Sequence, residues 1–338
     1  MEKEIILVTG SCGRIGSNVD KLLSQNFDVI GFELPKALCA ENTIPIDLSS
    51  DESVRLAFKK VPKRKIASVI HLAAYYSFAQ QHSDLYEAVT VKGTERLLRA
   101  LQDFDVDQFI FSSTMLVHAP TRPGVIINED SPVIPNWDYP LSKARTEDVI
   151  HRMRGKMSAV ILRISGVYDD HCHSIPISHQ IQRIYEKSIE AHLFSGDITH
   201  GAPFLHMNDL MNAIKLAVMK RKELPPELTL LLAEPKTLSY DQLQRKISSL
   251  LYGREVKTWR VPKLIAKMGA WAQGLIGDPF IKPWMIDLAD DHYEIDVSRA
   301  KKYLGWTPNH DLEETLPKMI EELKENPEAW YKANQLKA

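Results

Sequence analysis

Cysteine is scarce in this chain. Cys12, Cys39 and Cys172 are the only three in 338 residues, odd in number and scattered. Such a set implies no disulfide framework and suits a reducing cytoplasm. An excess of one charge is also missing: 42 Lys and Arg stand against 44 Asp and Glu, a net charge of −2, with no long basic or acidic block. That excludes the usual footprint of nucleic-acid binding or of adhesion to an anionic membrane. No apolar run is long enough to span a bilayer. The longest suspicious segment, "LIAKMGAWAQGLIG", carries Lys267 and Gln273 and is too short. The start, "MEKEIILVTG", passes straight from charge into a short β-branched run, without the apolar stretch of a signal peptide. Internal repeats and low-complexity tracts are absent. What remains is an ordinary apolar fraction of 44%, enough for one large domain or two intimate ones. The expected partner is a small molecule.

The first half alternates two patterns. "EIILVTG", "FDVIGFE", "ASVIHLAA", "DQFIFSST" and "MSAVILRIS" read as short buried strands. Between them "IGSNVDKLLSQ", "SDESVRLAFKKV", "DLYEAVTVKGTERLLRALQDF" and "LSKARTEDVIHRMRG" carry helical periodicity. Continuous apolar strands alternating with helices predict an α/β fold: a doubly wound parallel sheet with helices on both faces. After residue 165 the rhythm loosens. "FLHMNDLMNAIKLAVMK" and "LTLLLAE" look like one more helix and strand returning to the sheet. The expected division is a dinucleotide-binding domain of residues 1–166 plus about 204–235. A smaller α/β lobe of about 167–203 and 236–330 would lie over the C-terminal edge of the sheet, where ligands bind in such folds.

"TGSCGRIG", Thr9 to Gly16, follows the first strand and opens the first helix. Gly10 permits a sharp turn, Gly13 lets the backbone approach a pyrophosphate, and Gly16 lets the helix pack closely on the strand. The helix N-terminus then offers free N–H groups and positive dipole to phosphate. Glu33 ends the second strand about 20 residues after the loop, where a carboxylate can accept from both hydroxyls of an adenosine ribose and repel a 2′-phosphate. That favours NAD over NADP, although Arg14 and Lys36 stand near in sequence; the alternative is a solvated charge at a strand end. Asp47, in "PIDLSS", is placed either to meet the adenine amine or to cap the next helix.

Tyr139 and Lys143, in "YPLSK", lie four apart on one helix face. Alone the pair is either a solvated helix contact or a proton donor beside a tuning cation. Together with "TGSCGRIG", "HLAA" at His71–Ala74, "VTVKGTERLL", "FSST", "LRISGVY", "FLHMNDL" and "YEIDVSRAKKYLGWTP", it resembles the extended short-chain dehydrogenase/reductases, specifically their NAD-dependent epimerase/dehydratase branch. The resemblance spans about residues 5–320 and implies a Rossmann domain. The family's catalytic Ser or Thr stands about 25 residues before its tyrosine, which selects Thr114. Thr114, Tyr139 and Lys143 are thereby implied to be catalytic, with Tyr139 exchanging a proton with a carbinol or ketone oxygen as hydride is transferred. Lys143 and the positive nicotinamide ring are expected to lower the tyrosine pKa from its usual value near 10. The resemblance places coenzyme contacts on Gly10, Cys12, Gly13, Arg14, Ile15 and Gly16 of the loop. It places others on Glu33, Asp47 and Leu48, on Leu72, Ala73 and Ala74, and on Tyr139 and Lys143. It also implies a homodimer through the helices around 84–103 and 139–154, for which Ala144, Val149 and Met153 offer an apolar stripe; that stripe could instead face the sheet.

The family pattern breaks in places that bear on the substrate. Dehydratases follow their threonine with Asp-Glu, whereas Met115 and Leu116 stand here and neither can move a proton. Nucleotide-sugar enzymes of the family usually carry Asn where Gly166 stands, and often Arg near Ala202. Thr90 replaces a usual Asn, and His118 a usual Tyr. The segment "VPKLIAKMGAWAQGLIGDPFIKPWM" is rich in Trp, Met and Leu, as in the hydroxysteroid-dehydrogenase-like relatives, or is simply lobe core. His171, Cys172, His173 and His179 cluster without a standard zinc spacing, and no metal is expected. Three functions follow in order: an NAD(P)-dependent oxidoreductase at an alcohol or ketone carbon, a sugar or nucleotide-sugar epimerase that retains NAD, and a dinucleotide-binding scaffold or sensor without turnover.

Overall fold

The computed structural model describes residues 2–37, 39, 40, 42–77, 82–274, 286 and 288–336. The alternation read from the sequence forms a seven-stranded sheet. Its strands are β1 (Ile5–Thr9), β2 (Asp28–Glu33), β3 (Thr43–Pro45), β4 (Ile66–His71), β5 (Val106–Thr114), β7 (Ser158–Ile164) and β11 (Glu227–Leu232). Every neighbouring pair is parallel, in the order β11-β7-β5-β4-β1-β2-β3. The chain winds outward from β1 in both directions, so the order reverses between β1 and β4. Six short strands form three further parallel pairs: β6 (Ile126–Ile127) with β13 (Glu294–Ile295), β8 (Gly166–Tyr168) with β10 (Phe204–His206), and β9 (Leu193–Phe194) with β12 (Trp259–Arg260).

Helices cover both faces because the sheet strands are apolar on both sides; Ile5 to Val8 are wholly buried. On one face α1 (Arg14–Leu23) and α6 (Met207–Met219) pack with Val19, Leu23, Leu210 and Ile214 in a shared core. On the other, α2 (Asp51–Phe58), α3 (Lys92–Leu101) and α4 (Asp138–Met153) pack with Val54, Leu97, Leu98 and Val149. A π-helical turn, Tyr86–Val91, leads into α3. A separate core gathers α5 (Ile175–Tyr185), α7 (Tyr240–Tyr252) and α10 (Leu312–Glu325) around Ile177, Ile181, Ile247 and Leu316. Helix α8 (Lys263–Gly274) lies before α9 (Ser298–Leu304), whose Ala300 and Leu304, with Trp306, join the core beneath α6. Thus a stretch expected in the smaller lobe packs on the sheet domain. Residues 275–285 of the Trp- and Met-rich segment lie outside the described residues.

The apolar stripe proposed for a dimer contact is accounted for differently. Val149 is 1% exposed in the sheet core and Met153 packs against the same cluster, so both point inward. The solvent side of this helix pair carries Leu141 and Arg145, with Leu85 near the start of the π turn.

One hydrogen-bonded stack joins the sheet to its helices. Thr94 on α3 donates to the Thr90 carbonyl (2.6 Å) and so accepts from His71 Nε2 (2.9 Å). His71 Nδ1 is left as the acceptor for the Thr9 hydroxyl (2.7 Å). The Thr9 oxygen in turn accepts from the N–H groups of Leu72 and Ala73 at 3.2 and 3.1 Å. His71 is completely buried, and desolvation, helped by the Lys143 charge, holds its pKa down at about 3. The unfolded chain therefore binds more protons between about pH 6.5 and pH 3, and stability falls as pH falls through that window. His71→Gln keeps the donor to Thr94 but removes the titration. Its stability–pH slope in urea unfolding between pH 6.5 and 4 is expected to be shallower than wild type, by up to roughly 1.4 kcal/mol per pH unit; an unchanged slope contradicts the buried neutral imidazole.

Candidate active site

The glycine loop sits where β1 hands over to α1. Gly10 takes a positive φ of 69°, and a Cβ there would meet Ala73 N at 3.1 Å. A Cβ on Gly16 would collide with the Gly10 carbonyl oxygen and lie 2.7 Å from Ser11 Cα, so the helix can start this close to the turn only without a side chain. Gly13, extended and exposed, is the N-cap of α1 with no side-chain cap. The first N–H groups of α1 thus face outward unclaimed by a cap, a cradle that fits a pyrophosphate. Ile15 packs its side chain on the core, leaving only its backbone for a ligand. Leu72, Ala73 and Ala74 run past the loop, half-buried.

Glu33 ends β2 beside this loop. Its carboxylate accepts from Cys12 N (3.1 Å) and Leu34 N (2.9 Å), one bond to each oxygen. An ionised carboxylate has about four acceptor sites, so each oxygen keeps room for a hydroxyl. Asp47 is partly committed: one oxygen accepts from Ser49 N and Oγ at 2.9 and 2.6 Å, and the cap of α2 is Ser50 instead. Leu48 is buried, and its carbonyl accepts from Arg96. Arg14 reaches away from Glu33 and donates to the Val167 carbonyl at 3.1 Å, which leaves Lys36 as the nearby cation in sequence.

One expectation is overturned here. Cys12 and Cys39 form a disulfide, with Cα atoms 5.7 Å apart. Although 27 residues separate them, β2 runs alongside β1 and returns the chain to the glycine loop. Cys172 is free and buried.

Thr114 ends β5, and Tyr139 and Lys143 occupy the first turns of α4, which packs on that strand. The Thr114 hydroxyl lies close enough to the Tyr139 phenol to favour its ionised form. Lys143 is buried, donates to the Ser112 carbonyl at 2.7 Å, and lies 5.8 Å from the centre of the Tyr139 ring. Tyr76 meets that ring edge-on at 4.9 Å, and Trp137 lies 5.5 Å away. This enclosure changes the expected electrostatics. Burial pushes Tyr139 up to about 12 while the Thr114 hydroxyl pulls it down; the same burial brings Lys143 down to about 7, opposed by Glu147. In this site desolvation outweighs the lowering expected from the cation, because Lys143 itself is disfavoured in its charged form.

The sequence reading missed the buried charges below. Arg163 on β7 forms a two-point ion pair with Glu147, with bonds of 2.7 and 3.2 Å, and Ser113 donates to the same carboxylate. Arg163 also donates to the Glu129 carbonyl and to His118 Nε2. His118 is therefore neutral at that nitrogen and donates through Nδ1 to the Pro132 carbonyl at 3.1 Å; burial lowers its pKa. Glu147, one turn beyond Lys143, was the available signal: i and i+4 positions share a helix face.

The departures from the family pattern have local causes. Met115 is buried against Ile127, Leu231, Tyr293 and Ile295, so the place of a dehydratase acid is core. A Cβ on Gly166 would lie 2.9 Å from the Phe204 ring, and Ala202 packs at the rim of the Met115 cluster. Thr90 accepts from Tyr75 N at 3.0 Å. His171 and His173 turn to Glu322 and Asp169, and among the described residues no three His, Cys, Asp or Glu converge as metal ligands. Nor, among those residues, is any helix long and apolar enough to cross a membrane.

The profile of the NAD dependent epimerase/dehydratase family matches residues 6–230. The chain is 26% identical to a UDP-glucose 4-epimerase of Vibrio cholerae, covering 97% of this chain and 96% of that one. It is 22% identical to human 3 beta-hydroxysteroid dehydrogenase type 7, covering 94% and 95%. A short-chain dehydrogenase/reductase superfamily protein from Agrobacterium tumefaciens with bound NAD shares the fold, with a TM-score of 0.73 at 22% identity over 97% of this chain and all of that one. Glycine loop, doubly wound sheet and matched profile agree: the chain belongs to the NAD dependent epimerase/dehydratase family.

Proposed function

We propose that this protein is an NAD-dependent oxidoreductase that acts on an alcohol or ketone carbon held against Tyr139. The observation that carries the reading is the convergence of Tyr139, the Thr114 hydroxyl that favours its phenolate, and buried Lys143, at the C-terminal end of β5 where such folds bind ligands. Bound NAD supplies or accepts the hydride. The chain's part is placement and proton control. Thr114 orients the substrate oxygen, and Tyr139 passes a proton to or from it. Lys143 lies beneath, its charge offsetting a phenolate and its ammonium placed for a ribose hydroxyl. Glu33 accepts from the adenosine ribose, while the loop at Gly10–Gly16 and the N–H groups of α1 take the pyrophosphate.

The residues of about 167–203 and 236–330, apart from α9 and Trp306 on the sheet domain, form the substrate side. Gly166 beneath Phe204, Ala202 in an apolar rim, and the Tyr76 and Trp137 rings around Tyr139 favour an uncharged ring over a nucleotide diphosphate, and hence net redox. Epimerisation of a sugar with retained NAD is the second reading, favoured by the likeness to the Vibrio cholerae enzyme. The working form is a cytoplasmic homodimer, its contact made by the outer side of the helices at 84–103 and 139–154, where Leu85 and Leu141 are exposed.

Tyr139→Phe keeps the ring packing and loses the proton. Turnover, screened by NADH absorbance over secondary alcohols and UDP-sugars, should fall at least about 100-fold while NAD binding survives; wild-type turnover in the variant contradicts the role. Calorimetric titration should show NAD binding on the order of 100-fold tighter than NADP, because a 2′-phosphate meets the Glu33 carboxylate. Glu33→Ala should narrow that gap, and equal wild-type affinities would show a solvated strand-end charge instead. Light scattering at micromolar concentration should give a dimer mass; a monomer mass contradicts the assembly.

A further inference from the structure

We propose that Glu147 is a positioning residue of the reaction, which keys the catalytic helix to β5 and holds Lys143 in its charged form. The inference rests on the reading of Tyr139 as the proton carrier and Lys143 as its cation. Three successive residues at the end of β5 meet three residues spaced four apart on α4. The Thr114 hydroxyl lies close to the Tyr139 phenol. The Ser112 carbonyl accepts from Lys143 Nζ at 2.7 Å. The Ser113 hydroxyl donates to the Glu147 carboxylate. Positions four apart share one helix face, while each single residue turns the helix by about 100°. A roll of one residue would therefore carry all three side chains away from the strand end. The contact at Glu147 is also held from a second strand. Arg163 on β7 donates to both carboxylate oxygens, and its Nη1 donates to His118 Nε2 at 3.1 Å and to the Glu129 carbonyl at 3.2 Å.

Anchorage alone does not call for charges here. Glu147 and Arg163 are both buried, and apolar side chains of similar volume hold a buried contact at least as well. What apolar side chains cannot supply is a negative charge one turn from Lys143. Among the described residues, the buried Lys143 ammonium donates to the Ser112 carbonyl alone and lies 4.8 Å from the centre of the Phe111 ring. A lysine so enclosed gives up its proton readily unless a carboxylate stands near. Glu147 is the one carboxylate that bears on it among the described residues. The other titratable groups around this turn bring no negative charge. His71 from β4 and His118 from the turn after β5 are buried and held neutral. Tyr76, Tyr86 and Tyr139 are phenols whose ionisation burial opposes. Asp138, at the start of α4, turns to His82, and Arg163 is a cation taken by Glu147 itself.

The titration of Lys143 is read directly by nuclear magnetic resonance, from its Cε signal in the full chain labelled with carbon-13 lysine and assigned by its loss in Lys143→Met. Wild type should titrate near pH 7. Glu147→Gln keeps an oxygen for Ser113 and removes the charge, so its midpoint should lie at least about one pH unit lower. That variant leaves Arg163 buried without a counter-charge and can fail to fold. Glu147→Gln/Arg163→Gln buries neither charge and is titrated beside it, with the same shift expected. Its turnover at pH 7, on the alcohol found by screening, should fall at least about fivefold, in step with the lost cation. A midpoint or a turnover of the double variant equal to wild type overturns the role of Glu147, makes the pair a structural contact only, and leaves the coenzyme reading standing. Saturating NAD should displace the Lys143 signal of wild type. No displacement overturns the coenzyme reading, and with it the role that rests on it.

Discussion

The structure hangs on a neutral imidazole at the centre of the sheet. His71 ends β4, the strand beside β1, and its two nitrogens bind Thr9 and Thr94 in opposite senses. Each hydroxyl in the stack is used as donor and acceptor at once, so reversing one proton would leave a buried pair of donors or acceptors facing each other. This order fixes Thr9, and Thr9 fixes the turn at Gly10 and the strip at Leu72–Ala73. The glycine loop is therefore held by the sheet interior rather than by the ligand, and its cradle exists before anything binds.

The same economy governs the second half of the site. Helix α4 presents Lys143 and Glu147 inward among apolar neighbours, and each charge is answered. Glu147 meets Arg163 from β7 and Ser113 from β5, while Lys143 meets the Ser112 carbonyl. Breaking one member of such a pair leaves a buried charge, at a cost typically of 3–5 kcal/mol. The ion pair stands under the Tyr139–Lys143 turn and fixes α4 against the strand that ends in Thr114. Burial sets the chemistry as well: it raises Tyr139 and depresses Lys143, moving the pKa values of phenol and ammonium apart.

Much of this was legible in the sequence where the signal was local. Strand-to-helix alternation gave the sheet, because both-face burial writes continuous apolar runs. The loop at Thr9–Gly16 and the pair Tyr139–Lys143 show in short spacings, and the geometry brings Thr114 to them. Other features depend on contacts no spacing encodes. Val149 and Met153 could be read as facing either a partner or the sheet, and spacing along one helix does not choose; the strands that bury them are far away in sequence. The Cys12–Cys39 bond needed the return path of β2. His171 and His173, adjacent enough in sequence to suggest a shared ligand, are drawn to separate carboxylates.

Two constraints meet at the coenzyme cleft. Its walls come from the sheet domain, locked by His71, while its adenosine edge is a surface turn bridged to the glycine loop. The central claim is that one coenzyme molecule spans both ends, from Glu33 to Tyr139. A crystal structure of the protein grown with NAD tests this most directly. The account predicts adenosine ribose hydroxyls on Glu33, pyrophosphate on the N–H groups at the start of α1, and the nicotinamide ribose within hydrogen-bond reach of Lys143 and Tyr139. A coenzyme bound with its nicotinamide away from Tyr139, or its adenosine away from Glu33, would contradict it.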